Sequence, residues 1–225
     1  MTPAELLTVP GVPECRLDDD TAAALPAEAP PAPWLAECSA IVWYGRGGRV
    51  AKQAAGAAGA GASALATIGG LVSYRNTPVG PYHEAFGTVA VRTGRTVRGT
   101  IPFMAVDSLT SLVGGRQNWA LPKCRASFTG EPDDLTMTAE GEGWFVRATA
   151  RPFGPRYRVP MRGRMVQPWP DGLVRDSELD GSSRSRSALV TVDVRSRGEL
   201  ASWLRPGRHL GAVLLDASFT LGVPQ

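Results

Sequence analysis

The sequence predicts a mainly β (α+β) protein, a closed antiparallel β-barrel with a few short peripheral helices. Three observations favour this fold. After Ala64, apolar and polar residues alternate with a period of two, which is the period of a strand with one buried face. Turns that contain glycine interrupt the alternation, and no strand-helix-strand rhythm accompanies it. Because an antiparallel sheet of this size has exposed edges unless it closes on itself, we expect a barrel.

The chain divides into an N-terminal arm and one barrel domain. Residues 1–33 are rich in Pro and Ala and predict an extended arm, and residues 34–225 form the single domain. A short strand over 40–44 is followed by an Ala-rich helix over 50–58 that ends at glycines. The remaining elements are hairpins within 88–97 and 135–150, strands over 156–161, 188–194 and 213–221, and short helices over 107–113 and 199–204.

Composition narrows the range of functions. The 225 residues carry a net charge of +3, which is too small to indicate nucleic-acid binding. Residues 54–74 are uncharged but consist mainly of Ala, Gly and Ser, so a membrane-spanning helix is not expected. Three cysteines without Cys-x-x-Cys spacing argue against disulfides and zinc, and the N-terminal residues do not resemble a secretory signal. We therefore expect a cytoplasmic protein with no metal and no cofactor.

A glycine-rich segment, Gly59-Ala-Gly61-Ala-Ser-Ala64, matches a dinucleotide-binding fingerprint in its letters alone. That motif requires a buried strand before it and a helix after it, whereas an Ala-rich helix precedes this segment and a strand follows it. We therefore interpret it as a turn. The two histidines, His83 and His209, lie far apart without paired carboxylates and indicate neither a catalytic triad nor a metal site.

Two other segments carry possible chemistry. The first, PVGPYHEA, places Glu84 near the start of a strand beside Gly and Pro, where a carboxylate could act as a positioned acid or base, although a solvated glutamate is the commoner case. The second, GGRQNWALPKC, places Lys123 after a proline and among apolar residues. Desolvation disfavours a charged amine, so Lys123 is a candidate nucleophile for Schiff-base formation with a carbonyl compound. Only two of the 24 basic residues are lysines, which makes a surface lysine a weaker explanation here.

Together with PPAPW at 30–34, these segments resemble the acetoacetate decarboxylase superfamily. In that family a G-R-E-x-x-x-x-P-K segment ends in the Schiff-base lysine, and a G-x-Y-x-E segment supplies an active-site glutamate. The resemblance implies the closed antiparallel barrel, a symmetric homo-oligomer, and catalysis by Lys123 and Glu84 on a small-molecule carbonyl substrate. Four residues of the same two segments are expected to contact the substrate: Tyr82, Arg116, Gln117 and Trp119.

The sequence also departs from the family pattern. Cys124 stands where acetoacetate decarboxylases have a second lysine, and Gln117 replaces the Glu of G-R-E. Glu37 occupies the place of an arginine, and the place of a further glutamate falls near Gly69. We therefore expect Schiff-base chemistry with a small ketone or keto acid, leading to decarboxylation or to aldol, dehydration or cyclisation products. The alternative is a catalytically inactive barrel that binds a small metabolite.

Overall fold

A computed structural model describes residues 3–225 of the chain, and ten strands form one sheet. The strands are β1 (Trp34–Arg46), β2 (Ser63–Asn76), β3 (Tyr82–Thr93), β4 (Thr96–Val106), β5 (Lys123–Arg125), β6 (Ser127–Glu131), β7 (Thr136–Gly141), β8 (Trp144–Pro168), β9 (Val174–Ser196) and β10 (Gly207–Leu221). The helices are short. They are α1 (Pro3–Leu7), α2 (Asp19–Ala23), α3 (Arg49–Ala54), α4 (Leu109–Trp119) and α5 (Leu200–Trp203), with single 3-10 turns at Pro13–Cys15, Gly56–Gly59 and Pro132–Asp134. The predicted mainly β fold with a few short helices is confirmed.

Strand order in the sheet is β5-β4-β3-β2-β1-β10-β9-β8-β7-β6. Neighbouring strands are antiparallel with two exceptions, because β4 pairs in parallel with both β5 and β8. The fully antiparallel arrangement that we expected is therefore wrong at β4: helix α4 reverses the chain between β4 and β5, and this crossover allows a parallel pair. The β4–β8 pairing joins Gly99 to Met165 and links the two halves of the sheet. Closure of the sheet into a barrel stays a prediction.

The two hairpins predicted from alternation are present. Strands β3 and β4 turn at Gly94, and β7 and β8 turn at Gly143, and both glycines have positive φ angles that other residues rarely adopt. The uncharged stretch over 54–74 supplies most of strand β2. No helix within residues 3–225 has the length and apolarity needed to cross a membrane.

The N-terminal segment contains helical turns and is not the extended arm that its Pro- and Ala-rich composition predicted. Residues 3–33 contain α1, α2 and a 3-10 turn. Asp18 caps α2 by accepting a hydrogen bond from the Thr21 amide at 2.6 Å. The segment packs on the domain through buried apolar side chains, which include Leu6, Val12 and Cys15. Met1 and Thr2 of the predicted arm lie outside the described residues.

Helix α4 is longer than predicted. It was expected to end before Gly114, yet it continues through Gly114 and Gly115 to Trp119 and ends at Ala120, whose φ of 51° is left-handed. Both glycines are needed for close packing. A Cβ at Gly114 would lie 2.5 Å from the Trp34 ring, and a Cβ at Gly115 would lie 2.5 Å from Cδ of Lys123. Tertiary contact thus keeps these glycines inside the helix despite their low helix propensity.

Arg116 on α4 joins three parts of the chain. Its Nε donates to the carbonyl of Lys123 at 2.7 Å, and its two terminal nitrogens donate to the carbonyls of Leu6 at 2.8 Å and Cys15 at 2.7 Å. The side chain is buried. Its planar fork therefore supplies donors to three buried carbonyls of the N-terminal segment and of β5 at once.

We expect Arg116→Lys to lower the free energy of unfolding by about 2–4 kcal/mol, because one ammonium group cannot reach three carbonyls and buried acceptors would be left unpaired. Urea unfolding followed by tryptophan fluorescence measures this change. The matched control is Arg125→Lys at an exposed position two residues beyond Lys123. Equal stability of the two variants would contradict the role assigned to Arg116.

Candidate active site

Lys123 is the first residue of β5 and is held from three sides. Strand β5 pairs in parallel with β4, which places Lys123 beside Met104. The side chain passes over Gly115 of α4, and the Lys123 carbonyl accepts the hydrogen bond of Arg116 described above. These contacts fix both the backbone and the side chain of Lys123, so the amine has a defined position.

The Lys123 amine lies in a buried polar cluster. Nζ donates to Oε2 of Glu84 at 2.9 Å, to Oγ of Ser111 at 2.9 Å and to the Tyr82 hydroxyl at 3.4 Å. Only 3% of the Lys123 side chain and 4% of the Glu84 side chain are exposed. The structure therefore brings Lys123 and Glu84, the two residues expected to be catalytic, together in one buried cluster. Their catalytic roles stay predictions.

Glu84 is held by a pair of tyrosines as well as by Lys123. The Tyr74 hydroxyl donates to Oε1 of Glu84 at 3.1 Å, so that both carboxylate oxygens have partners. Tyr74 on β2 is the register partner of Tyr82 on β3, and their rings stack with centroids 4.5 Å apart. The Tyr82 ring also lies beneath the amine, with Nζ of Lys123 5.0 Å from its centroid.

Burial and the Glu84 charge keep the neighbouring acidic groups neutral. Desolvation raises the pKa of Tyr74 and of Tyr82 well above the ordinary value, and the Glu84 carboxylate adds to both shifts. Burial, with a further contribution from Glu84, raises the pKa of the Cys38 thiol to about 12. At neutral pH the tyrosines and the thiol therefore stay protonated, and they surround the ion pair of Lys123 and Glu84 as neutral groups.

Of the four residues expected to contact the substrate, Tyr82 alone lies at the amine. Arg116 uses its donors on backbone carbonyls, and Trp119 donates from Nε1 to the carbonyl of Gly222 at 2.7 Å and packs edge-on against Trp34. Gln117 is half-buried and takes no part in the hydrogen bonds described for the Lys123 cluster. The expected substrate contacts of Arg116 and Trp119 are therefore not supported, because both side chains serve packing within the fold.

Three residues of the cluster were missed in the sequence: Cys38, Tyr74 and Ser111. A signal existed for Tyr74, since it alternates with Val72 on β2 and thus shares its buried face. Ser111 lies four residues before Gly115, so both stand on the face of α4 that meets Lys123. Neither signal identifies a partner until the strand register and the helix position are known.

The residues that depart from the family pattern are not among the hydrogen-bond partners of the Lys123 amine. Cys124 points away from the amine, as expected for adjacent residues of a strand, and its Sγ donates to the Met104 carbonyl at 3.4 Å. Glu37 is exposed on β1. A Cβ at Gly69 would lie 2.2 Å from the Trp43 ring, which excludes any side chain at this position.

His83, the neighbour of Glu84, binds two carboxylates on the outer face of the sheet. Nδ1 lies 2.7 Å from Oδ2 of Asp107, and Nε2 lies 2.9 Å from Oε1 of Glu131. The hydrogen bond to Asp107 is the largest cause that raises the pKa of His83, to about 9; burial opposes the shift and Glu131 adds to it. The expectation that His83 lacks paired carboxylates is therefore wrong, because folding brings together residues far apart in sequence. Among residues 3–225, no group of three or more His, Cys, Asp and Glu side chains is arranged to hold a metal ion.

The ion pairs of His83 predict a pH-dependent contribution to stability. Because folding raises the pKa of His83 from 6.5 to about 9, the stabilisation is complete below pH 6.5 and is lost as the pH rises through 9. The difference in free energy of unfolding between wild type and His83→Gln should therefore shrink over this interval. Urea unfolding at a series of pH values measures it. A difference that does not change with pH would contradict the assignment.

One protein-family model matches the central part of this chain. Residues 65–151, which include Glu84 and Lys123, match the family model of acetoacetate decarboxylase. No curated protein matches the chain in sequence.

Solved structures show the same fold at low identity. An acetoacetate decarboxylase from Legionella pneumophila has a TM-score of 0.56 at 15% identity, covering 90% of this chain and 92% of its own. An acetoacetate decarboxylase-like enzyme from Sphingomonas wittichii has a TM-score of 0.59 at 16% identity, covering 88% and 93%. The enduracididine biosynthesis enzyme MppR, solved with pyruvate, has a TM-score of 0.55 at 13% identity, covering 88% and 91%. The family match over 65–151 and the shared fold confirm that this chain resembles the acetoacetate decarboxylase-like superfamily.

Proposed function

We propose that this protein is a lyase-type enzyme that forms a Schiff base between Lys123 and a small ketone or keto acid. The observation that carries the proposal is the buried amine of Lys123, which lies 2.9 Å from the carboxylate of Glu84. An amine nucleophile beside an acid-base group is the pair that imine formation requires. The iminium withdraws electrons from the neighbouring carbon, so it supports decarboxylation, aldol addition, dehydration or cyclisation.

Glu84 serves first as the base. The Lys123 amine attacks a carbonyl carbon only after it loses its proton, and Oε2 of Glu84 lies within hydrogen-bond distance to accept that proton. Transfer of the proton to Glu84 leaves a neutral amine next to a neutral carboxyl group in a site that is almost wholly buried. The structure thus offers a route to a neutral amine that uses no neighbouring cation.

Glu84 serves next as the acid. Attack by the amine opens the carbonyl double bond, and transfer of one proton from nitrogen to oxygen gives a carbinolamine. The proton held by Glu84 then passes to the carbinolamine oxygen, which leaves as water while the nitrogen lone pair forms the iminium and Glu84 returns to its carboxylate form. Ser111 lies 2.9 Å from Nζ and orients the amine during the attack. The face of the Tyr82 ring, 5.0 Å from Nζ, stabilises positive charge on that nitrogen in both the ammonium and the iminium forms.

The family resemblance supports two broader features of the proposal, a closed barrel and a homo-oligomer, and the cysteines support a third, a cytoplasmic location. Closure through the β4–β8 pairing is consistent with the sheet order. Exposed apolar side chains on the long β8–β9 hairpin, among them Phe153 and Tyr157, suit contact with another copy of the chain. The free thiols of Cys15, Cys38 and Cys124 agree with a reducing compartment.

Reductive trapping tests the proposed chemistry. Incubation with borohydride and a panel of small ketones and keto acids should attach at least one carbonyl compound covalently to Lys123, and peptide mass spectrometry locates the adduct. The adduct should be absent at this position in Lys123→Ala, and Glu84→Gln should slow its formation by about 100-fold through loss of the acid-base group. Lys52, which is exposed, reports the background reactivity of an ordinary lysine in the same chain.

Two outcomes would contradict the proposal. The first is labelling of Lys123 no faster than that of Lys52 with every carbonyl compound tried. The second is unchanged consumption of the carbonyl compound by Lys123→Ala. Absence of any adduct, combined with a rise in Tm when a small metabolite is added, would favour the catalytically inactive binding barrel instead.

Cys124 supplies a separate prediction. Because its thiol faces the Met104 carbonyl and not the amine, Cys124→Ala should retain trapping at Lys123 within about twofold of wild type. The measurement is the initial rate of adduct formation, with circular dichroism as the control for folding. A large loss of trapping in a folded variant would show that the thiol takes part in the reaction.

A further inference from the structure

We propose that the substrate of this site is a neutral carbonyl compound with an apolar substituent, such as an alkyl ketone or aldehyde, and not a keto acid. This inference rests on the proposed Schiff-base function of Lys123 and narrows its substrate class. The observation that carries it is the position of the amine beside a carboxylate and an apolar cluster. The arginines close to the site in sequence either bind other groups or are exposed to solvent.

An apolar cluster adjoins the polar contacts of the amine. Tyr74 and Tyr82 belong to a buried cluster that extends from the amine across β1, β2 and β10. The other buried members of this cluster are Ala36, Cys38, Ala40, Val42, Val72, Val106, Leu112, Ala212 and Ala217. Apolar side chains stabilise a hydrocarbon substituent by removing it from water, and they provide no partner for a second charge on a substrate.

The hydroxyl groups around the amine contact Glu84 or the amine itself. The Tyr74 hydroxyl donates to Glu84, and the hydroxyls of Tyr82 and Ser111 accept hydrogen bonds from the Lys123 amine. The Cys38 thiol is a weak donor and stays protonated, because burial raises its pKa to about 12. The hydroxyls of Tyr82 and Ser111 can still donate their own protons, but they are neutral donors, so these contacts offer a substrate carboxylate no cation other than the Lys123 amine.

The three arginines near the site in sequence do not supply a cation to it. Arg75 follows Tyr74 on β2 and so points to the opposite face, where its side chain is 47% exposed and pairs with Asp216 at 3.5 Å. Arg116 donates to the three backbone carbonyls described above. Arg125 is exposed. None of these guanidinium groups is positioned to bind a carboxylate beside Lys123.

Glu84 adds a repulsive contribution. It carries a negative charge in the resting ion pair, 2.9 Å from the atom that must reach the substrate carbonyl. A carboxylate within three bonds of that carbonyl would enter a buried site that already holds an anion, and burial of an unpaired anion is costly. A neutral carbonyl compound meets neither the repulsion nor the desolvation cost.

The test compares two probes of similar shape that differ in charge: levulinate, a keto acid, and methyl isopentyl ketone, in which an isopropyl group replaces the carboxylate. Each is trapped with borohydride, and adducts at Lys123 and Lys52 are quantified by peptide mass spectrometry, with any lactam counted as adduct. The quantity compared is the amount of adduct at Lys123 divided by the amount at Lys52. Since Lys52 is exposed, this ratio cancels the intrinsic reactivity of each probe. We expect this ratio to be about tenfold or more higher for the neutral ketone.

The outcomes separate the two proposals. A ratio for levulinate equal to or above that for the ketone would overturn the substrate inference and leave the Schiff-base function standing. Absence of enrichment at Lys123 with both probes would overturn the two together. The variants Arg75→Gln and Arg125→Gln complete the test, because a marked loss of levulinate trapping in either one would reveal a cation that binds the carboxylate.

Discussion

The buried ion pair between Lys123 and Glu84 is the interaction on which the arrangement of this protein depends. The two residues are 39 positions apart in the chain, and each is almost completely removed from water. Removal of one partner from such a pair typically costs about 3–5 kcal/mol, because the remaining charge stays buried without compensation. The fold must therefore hold β3, α4 and β5 in one fixed relation, and the contacts around Lys123 do this.

Those contacts connect the site to the N-terminal segment. Arg116 binds the carbonyl of Lys123 with one nitrogen and the carbonyls of Leu6 and Cys15 with the others. Gly114 admits the Trp34 ring against α4, while Gly115 admits the Lys123 stem one residue later. Movement of the N-terminal segment would thus disturb the same helix that presents Ser111 to the amine. The segment is a structural support of the site, which its Pro- and Ala-rich composition did not indicate.

The sequence predicted those features that local pattern determines. Alternation and glycine turns predicted the hairpins at Gly94 and Gly143, and the two motif segments identified Glu84 and Lys123, which the structure places 2.9 Å apart. The extent of α4 was wrong because close packing, not helix propensity, decides whether a glycine is tolerated inside a helix. The contacts of Arg116 could not be predicted, since they depend on which buried carbonyls the fold leaves unpaired, and no sequence pattern records that.

The resting cluster also defines how a reaction would begin. An ammonium group has three N–H donors, and Glu84, Ser111 and Tyr82 accept all three. When one proton moves to Glu84, the lone pair of the neutral amine lies on the side of that carboxyl group, while Ser111 and Tyr82 keep the two remaining hydrogens in place. In the proposed reaction, a carbonyl carbon would approach from the side of Glu84, which would bring its oxygen next to the proton that the carboxyl group has received. The geometry that stabilises the charged resting pair would then also place the acid next to the oxygen that leaves as water.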